Sequence, residues 1–313
     1  MSEPRGWVGD TVPHMNDIII PSYAKINLTL EVLRKREDGY HDIDSVVQVI
    51  DLADRLWVRK AGQDAINVAV DAESDSDGVP SGEGNLVYQA CGAFFESTGL
   101  RAGVDCTISK RIPVQAGLGG GSSNAASAVV ALNRLFECGL STEEMSAIAS
   151  VVGSDAALFV HGGTTRMRGR GELVEQLPDA PELELVLVKP RVGVSTAAAY
   201  AELDKHTRQG YGSASDKAQR AVDDDDRSAL VRSLANDFDP VVSSLVAEVA
   251  EAKRELMEQG AQKAMLTGSG SAVFGVFESA DGAAQAAAVL GERYDGVFAC
   301  RSLARAKCVI IDE

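Results

Sequence analysis

The sequence has little of what a disulfide framework, a metal site or a membrane span requires. Its five cysteines are scattered without a C-x-x-C pair, and its four histidines are isolated from one another. No segment approaches the roughly 18 consecutive apolar residues of a membrane helix, and the amino-terminal segment lacks the apolar stretch of a signal peptide. We therefore expect reduced thiols, no His/Cys metal site and a cytoplasmic protein.

Positive charge is scarce as well. The 313 residues include 30 lysines and arginines against 46 aspartates and glutamates, which gives a formal net charge of −16. Such a charge opposes nonspecific binding of nucleic acid and docking on anionic membranes, so we expect neither as a partner. A small anionic ligand remains compatible with this composition, provided that its pocket is locally positive.

The order of apolar and polar segments predicts an α+β protein in two lobes. Residues 24–32 alternate at the period of a half-buried strand, which places Lys25 and Asn27 together on the polar face. Residues 85–98 and 122–136 have helical patterns. The chain is long enough for two domains of ordinary size.

The second half of the chain contains the predicted joint between the lobes. We place it in the Pro- and acid-rich segment before a buried strand at 183–190, which divides the chain into residues 17–177 and 178–313. The polar, acidic segment 209–229 predicts a solvated loop. One helix is expected around 241–259, followed by a strand, a Gly/Ser turn and a strand in "AMLTGSGSAVFGVF".

A glycine-rich stretch, "PVQAGLGGGSSNAASAVV", begins at Pro113 and leads into the predicted helix. The N-terminus of a helix presents unpaired N–H groups to an anion, and glycine lets a phosphate approach the backbone closely. A flexible hinge or a simple helix cap is the alternative. A Walker A loop is excluded because no lysine precedes Ser122, and a dinucleotide fingerprint because residue 122 is not glycine.

The segment "AGLGGGSSNAA" resembles the P-x-x-x-G-L-[GS]-[GS]-S-[SA] motif of the GHMP kinases. "GSDAALFVHGG", "VSTAAAY", "NDFDP" and "LTGSGSAVFG" resemble later motifs of that family in the right order, so the resemblance covers about residues 17–277. It implies a two-lobed GHMP kinase fold with the active site in the cleft. The N-terminal lobe would resemble domain 2 of ribosomal protein S5, and the C-terminal lobe would be a ferredoxin-like α/β unit.

The segment "AKINLTLEVLRKREDGYHDI" narrows the resemblance to particular members of the family. These members use ATP and Mg²⁺ to phosphorylate the 2-hydroxyl of a cytidine-diphosphate-linked methylerythritol, in the non-mevalonate isoprenoid pathway. The resemblance thus implies a monomeric or homodimeric enzyme acting on a small molecule. The alternatives are a GHMP kinase for another alcohol and a non-catalytic, ligand-binding member.

The resemblance also implies roles for individual residues. Asp155 would orient or deprotonate the hydroxyl, and Lys25 would support it; a helix-start aspartate and a solvated lysine are the alternatives. The ATP phosphates would be held by Pro113, Gly117, Leu118, Gly119, Gly120, Gly121, Ser122 and Ser123. The residue that contacts the metal is not identified. The family commonly has Val-Pro after the catalytic aspartate, where this sequence has Ala156 and Ala157.

Recognition of the cytidyl group would fall to four residues. By resemblance, Tyr40 and Tyr200 sandwich the cytosine, His41 contacts its edge, and Asn27 binds a hydroxyl. Packing in a turn or on a helix face is the alternative for each aromatic ring. In "RMRGRGE", Arg168 and Arg170 either face an anion or lie on the solvated surface.

Overall fold

The computed structural model describes residues 17–62, 64–71, 78–205 and 213–308. Its strands are β1 Ile18–Asn27, β2 Thr29–Lys35, β3 His41–Ala61, β4 Ile66–Val70, β5 Gly103–Ser109, β6 Thr164–Gly169, β7 Leu173–Gln176, β8 Glu184–Lys189, β9 Ala235–Asn236, β10 Lys263–Leu266, β11 Val273–Phe277 and β12 Gly296–Arg301. Its helices are α1 Leu86–Thr98, α2 Gly120–Leu135, α3 Thr142–Ser150, α4 Ala156–His161, α5 Thr196–Leu203, α6 Ala214–Asp223, α7 Arg227–Ser233, α8 Phe238–Leu245, α9 Ala247–Glu258, α10 Ala280–Leu290 and α11 Arg305–Cys308. In the described part of the chain, no helix is both long and apolar enough to cross a bilayer.

The strands form two sheets. The larger sheet is built around the long strand β3, which pairs antiparallel with β1, β2, β5 and β6. Strands β4, β7 and β9 extend it, and β9 pairs in parallel with β2. The smaller sheet has the order β10-β11-β8-β12. This arrangement confirms the α+β class and the strand-turn-strand expected for residues 264–277.

The strand expected at residues 24–32 differs from the prediction in two ways. The chain bends at Leu28, so the segment forms β1 and β2 instead of one strand. Its polar face is also buried, since Lys25 and Asn27 are each only 5% exposed. The sheet is covered there because the turn after β10 packs on it, with Asn27 N–H donating to Thr267 Oγ1 at 3.1 Å. The half-buried interpretation was therefore wrong.

The polar segment 209–229 was also misinterpreted where the structure describes it. Residues 206–212 lie outside the described part, but α6 and α7 follow in place of a solvated loop. The first turn of α6 is fixed by Glu31, whose carboxylate accepts N–H bonds from Ser213, Ala214 and Ser215 at 2.9–3.3 Å. A carboxylate at a helix N-terminus accepts hydrogen bonds from the unpaired N–H groups of the first turn and interacts favourably with the helix dipole. The helix expected around 241–259 is interrupted at Val246 and becomes α8 and α9.

The two sheets share one apolar core. Ile26 and Leu28 from the larger sheet pack in the same cluster as Leu187 and Phe274 from the smaller one, and all four are almost fully buried. Burying such a side chain stabilises the fold by about 1.5–3 kcal/mol relative to leaving it exposed. The cluster joins the two sheets, while the division at residues 177/178 stays a prediction.

Candidate active site

The glycine stretch forms a loop that ends in α2. Helix α2 begins at Gly120, two residues before the predicted start, with Gly119 in a left-handed conformation (φ 72°) as its N-cap. The first bond inside the helix runs from Ser123 N–H to Gly119 O at 2.9 Å. The N–H groups of residues 120–122 therefore precede the hydrogen-bonded ladder and are available to an anion.

Close packing around this loop explains its glycines. A Cβ atom at Gly119 would lie 2.7 Å from the Phe159 ring and 3.2 Å from Cγ of Lys25. A Cβ at Gly120 would lie 3.2 Å from Nζ of Lys110. The loop is thus held between neighbours on both sides, which favours a rigid cradle over the hinge alternative.

Gly117 makes the tightest of these contacts. It has a φ of 78°, and a Cβ there would overlap the carbonyl oxygen of Thr267 in the turn after β10. Gly268 in that turn approaches just as closely, because its own Cβ would lie 3.1 Å from Cα of Gly117. The glycine loop and the turn of the smaller sheet therefore meet backbone to backbone.

A cavity of about 610 Å³ opens on the outer side of the loop. Asn85, Lys110 and Thr196 line it together with most of the predicted ATP-binding set, namely Pro113, Gly117, Leu118, Gly119, Gly120, Gly121 and Ser122. Ser123 does not reach it. That side chain is 1% exposed and lies beside a separate cavity of about 160 Å³ behind α2.

A second cavity of about 250 Å³ lies on the other side of the same loop. Lys25, Asn27, Asp155 and Tyr200 line it, so the structure brings these four predicted site residues together. Gly117, Gly119 and Thr196 belong to both cavities. The loop is therefore a wall shared by the two cavities.

Lys25 is buried and forms no ion pair with a carboxylate of the described residues. Its Nζ donates to Oδ1 of Asn27 at 2.6 Å, and its backbone N–H donates to the carbonyl of Leu118 at 3.0 Å. Burial lowers the pKa of Lys25, and the nearby charge of Asp155 raises it in partial compensation. Asn27 Oδ1 also accepts the N–H of Gly268 at 3.0 Å, so one amide connects the lysine to the turn of the smaller sheet.

Asp155 stands at the N-cap position of α4, but its side chain makes no capping hydrogen bond there. The helix-start alternative does not account for a carboxylate directed into a cavity. A Cβ at Gly171 would lie 3.4 Å from Asp155 Oδ1, so the glycine leaves room beside the carboxylate. Ala156 and Ala157 are both buried in α4, and the helix forms without the usual proline.

The aromatic residues are arranged differently from a simple sandwich. The rings of His41 and Tyr200 stack on each other, with centroids 4.6 Å apart and an interplanar angle of 18°. The Nε2 atom of His41 lies 2.8 Å from Oδ1 of Asp204. Tyr40 is 59% exposed, and its ring contacts the guanidinium of Arg170 at 5.0 Å. The structure thus brings His41 and Tyr200 together and holds Tyr40 beside Arg170.

The sequence analysis missed a buried ionic cluster beside the glycine loop. Lys110 Nζ donates to Oδ2 of Asp54, which is fully buried, and to Oδ1 of Asn124 at 3.1 Å. The other oxygen of Asp54 accepts the N–H groups of Arg111 and Ile112 at 2.7 and 2.8 Å. A charged residue directly after β5 was the available signal, but its partner lies 56 positions away.

Two family models match the sequence. The N-terminal domain of the GHMP kinases matches residues 85–163, and the C-terminal GHMP kinase domain matches residues 218–296. Together they span about half of the chain and include the glycine loop, Asp155 and the turn after β10. The chain therefore belongs to the GHMP kinase family.

Relatives within this family carry a common name. The chain is 43% identical over 268 residues to a 4-diphosphocytidyl-2-C-methyl-D-erythritol kinase of Pelotomaculum thermopropionicum, covering 85% of this chain and 91% of that protein. It is 40% identical over 291 residues to the protein of that name in Moorella thermoacetica, covering 92% of this chain and all of the other.

Solved structures of GHMP kinases also resemble this chain. A crystal structure of 4-(cytidine 5'-diphospho)-2C-methyl-D-erythritol kinase matches with a TM-score of 0.74 at 28% identity, covering 91% of this chain and 99% of that one. A homoserine kinase from Cytophaga hutchinsonii matches with a TM-score of 0.75 over 95% and 98% of the two chains. At 19% identity, the second match supports the fold alone.

Proposed function

We propose that the protein transfers the γ-phosphoryl group of ATP to the 2-hydroxyl of 4-diphosphocytidyl-2-C-methyl-D-erythritol, giving the 2-phosphate and ADP. The reaction belongs to the non-mevalonate pathway of isoprenoid precursors. The names of the relatives give the substrate. One structural observation carries the chemistry: the glycine loop is the common wall of a cavity with helix N-terminal amides and a cavity that contains Asp155 and Lys25.

The glycine loop would hold the nucleotide. Its free amides at residues 120–122 donate to the phosphate oxygens, and the N-terminal dipole of α2 adds favourable positive potential. Phosphoryl transfer needs mainly positioning and neutralisation of charge, and a rigid backbone cradle supplies both. Loop glycines packed against Phe159 and Thr267 fix the direction in which the terminal phosphate points.

Asp155 and Lys25 would act on the acceptor alcohol. The oxygen of the 2-hydroxyl attacks the γ-phosphorus, the bond to the β,γ-bridging oxygen breaks, and Asp155 takes the hydroxyl proton as ADP leaves. Lys25, held by Asn27 at 2.6 Å, stabilises the negative charge that develops around the reacting oxygens. The carboxylate of Asp155 also favours the charged form of that lysine, because it raises its pKa against the effect of burial.

Mg²⁺ fits the oxygen donors of this region without a preformed protein cage. Among the described residues, no group of three or more His, Cys, Asp or Glu side chains could hold a metal. Mg²⁺ is usually bound through one or two protein oxygens together with substrate phosphates. Ser122 Oγ would be 3.8 Å from a Cβ at Gly153, so the hydroxyl faces the turn that leads to Asp155. Ser122 would hold the ion together with the ATP phosphates, and the bound ion would neutralise phosphate charge.

The cytidyl group would bind at the far end of the second cavity. Tyr40 offers an exposed ring for stacking, and Tyr200 lines the cavity with His41 against it. Asn27 would bind a hydroxyl of the methylerythritol beside Lys25. These roles remain proposals that rest on the position of each side chain relative to Asp155.

Turnover tests the proposal directly. The protein is incubated with Mg-ATP and the cytidyl substrate, and ADP and the phosphorylated product are followed. Asp155→Asn should lower kcat by about 10²- to 10⁴-fold, the usual contribution of a general base, while the substrate still binds. Asp295→Asn, which changes an exposed aspartate on the surface, is the matched control. Absence of product with a folded wild-type protein contradicts the function, whereas full activity of Asp155→Asn contradicts only the role of that residue.

A further inference from the structure

Three arginines occur at alternate positions where β6 enters the turn to β7. Arg166 forms an ion pair with Asp44, to which its guanidinium donates two hydrogen bonds of 2.8 and 2.6 Å. Arg168 is paired with Glu175 at 2.9 Å. Arg170 has no ion pair with a carboxylate of the described part of the chain, and its guanidinium lies over an aromatic ring instead. The first two charges are paired within the fold, whereas Arg170 interacts with the charge of the exposed Asp38 without forming an ion pair with it.

The backbone holds Arg170 in a fixed place. It lies between Gly169 (φ 70°) and Gly171 (φ 114°), conformations that let the chain turn tightly. Its N–H donates to Oε2 of Glu172 at 2.5 Å, and its guanidinium packs on Tyr40 at 5.0 Å. The side chain lines the same cavity as Asp155. A preorganised guanidinium of this kind suits bidentate binding of a phosphate group.

The charge of the cavity points to an anionic ligand. Its charged lining residues are Lys25, Arg170 and Asp155, which leave a net positive charge within a protein of formal charge −16. Lys25 Nζ is already bound to Asn27 beside the acceptor end. Arg170 is therefore the cation of this cavity whose side chain forms no ion pair and no amide hydrogen bond among the described residues.

Arg170 lies between the exposed ring of Tyr40, which is outside the cavity lining, and the part of the cavity that contains Asp155. Arg170 contacts Tyr40 on one side, and on the other side its neighbour Gly171 borders the carboxylate of Asp155. In the substrate, the diphosphate lies between the cytidine and the methylerythritol. We infer that Arg170 binds this diphosphate and selects nucleoside-diphosphate-linked alcohols over free alcohols, an inference that rests on the proposed function.

Kinetics of Arg170→Gln test the inference, with Arg168→Gln as the matched control. Loss of a charged hydrogen bond should raise KM for the cytidyl substrate by about tenfold or more, while KM for ATP and kcat stay within about twofold. Arg170→Lys should restore part of the affinity, because it keeps the charge but loses the bidentate geometry. An unchanged KM in Arg170→Gln overturns the inference while the proposed function stands.

Equilibrium binding separates this result from a failure of the function itself. Wild-type protein should bind CDP more tightly than cytidine, and Arg170→Gln should lose most of that difference, whereas Arg168→Gln should keep it. If the wild type binds CDP through Arg170 but does not turn over, the function fails and the anion site stands. If CDP and cytidine bind equally well to the wild type, the inference is wrong.

Discussion

Two buried lysines flank the glycine loop, and one has a charged partner whereas the other has a neutral one. Lys110 lies beside Gly120 and is bound to the buried carboxylate of Asp54. Lys25 lies beside Gly119 and is bound to the neutral amide of Asn27. A buried charge with its own counterion is part of the framework. Lys25 has a neutral partner and a pKa lowered chiefly by burial, and the proposed function assigns it to charge on the reacting groups.

The largest expected effect is on stability, from Lys110→Met. The substitution leaves the carboxylate of Asp54 fully buried without its cation, although two backbone N–H groups still bind it. Breaking a buried ion pair from one side costs about 3–5 kcal/mol of unfolding free energy. Chemical denaturation at neutral pH measures the loss.

The double variant Asp54→Asn with Lys110→Met serves as the control for that prediction. It removes the uncompensated charge and should recover part of the unfolding free energy. A single Lys110→Met variant as stable as the wild type would show that the two lysines do not differ in the way described.

A smaller effect, this time on catalysis, is expected from Lys25→Met. Asn27 Oδ1 keeps the N–H of Gly268 as a donor, so the unfolding free energy should change little. Removing one preorganised positive group from the reacting oxygens should lower kcat by about a hundredfold. Turnover and denaturation measured on the same preparation check both expectations, and a large loss of stability with normal kcat would reverse the assignment.

The smallest effect is a pH dependence that belongs to Lys25. Its folded-state pKa is lowered, chiefly by burial, so the unfolded chain binds more protons than the folded one between the lowered and the usual value. The unfolding free energy of the wild type should therefore rise with pH across that interval, relative to Lys25→Met. Denaturation of both proteins over a series of alkaline pH values measures the difference, and parallel profiles would contradict the lowered pKa.

Local patterns predicted several parts of the structure well. The helical patterns at residues 85–98 and 122–136 form α1 and α2, and the strand expected at 183–190 forms β8. Alternation along β1 correctly placed Lys25 and Asn27 on one face. These features depend on residues within four positions of one another, so the sequence contains their complete cause.

Features that depend on partners far away in the sequence could not be predicted. Helix α6 looked like a solvated loop because Glu31, which fixes its first turn, lies 182 to 184 positions away. Burial of the polar face of β1 likewise depends on Thr267, 240 positions later. Composition cannot indicate which remote side chain will satisfy a polar segment, and this explains both errors.

The site was predictable to the same extent. The motifs predicted the glycine loop, Asp155 and Lys25 as site residues, and the structure places all three at two cavities that share the loop, while their roles stay predictions. The burial of Ser123 and the stacking of His41 on Tyr200 follow from the exact start of α2 and from ring orientations. A linear motif does not encode either of these.

The meeting of Gly117 with Gly268 has a consequence for how specificity can vary on this scaffold. Main-chain atoms of the two segments touch at that point, so neither glycine could carry a side chain unless the segments moved apart. Substitutions around the aromatic end can then change which alcohol is admitted without altering the path that the phosphoryl group travels. Acceptor choice and transfer distance are thus independent variables for protein engineering.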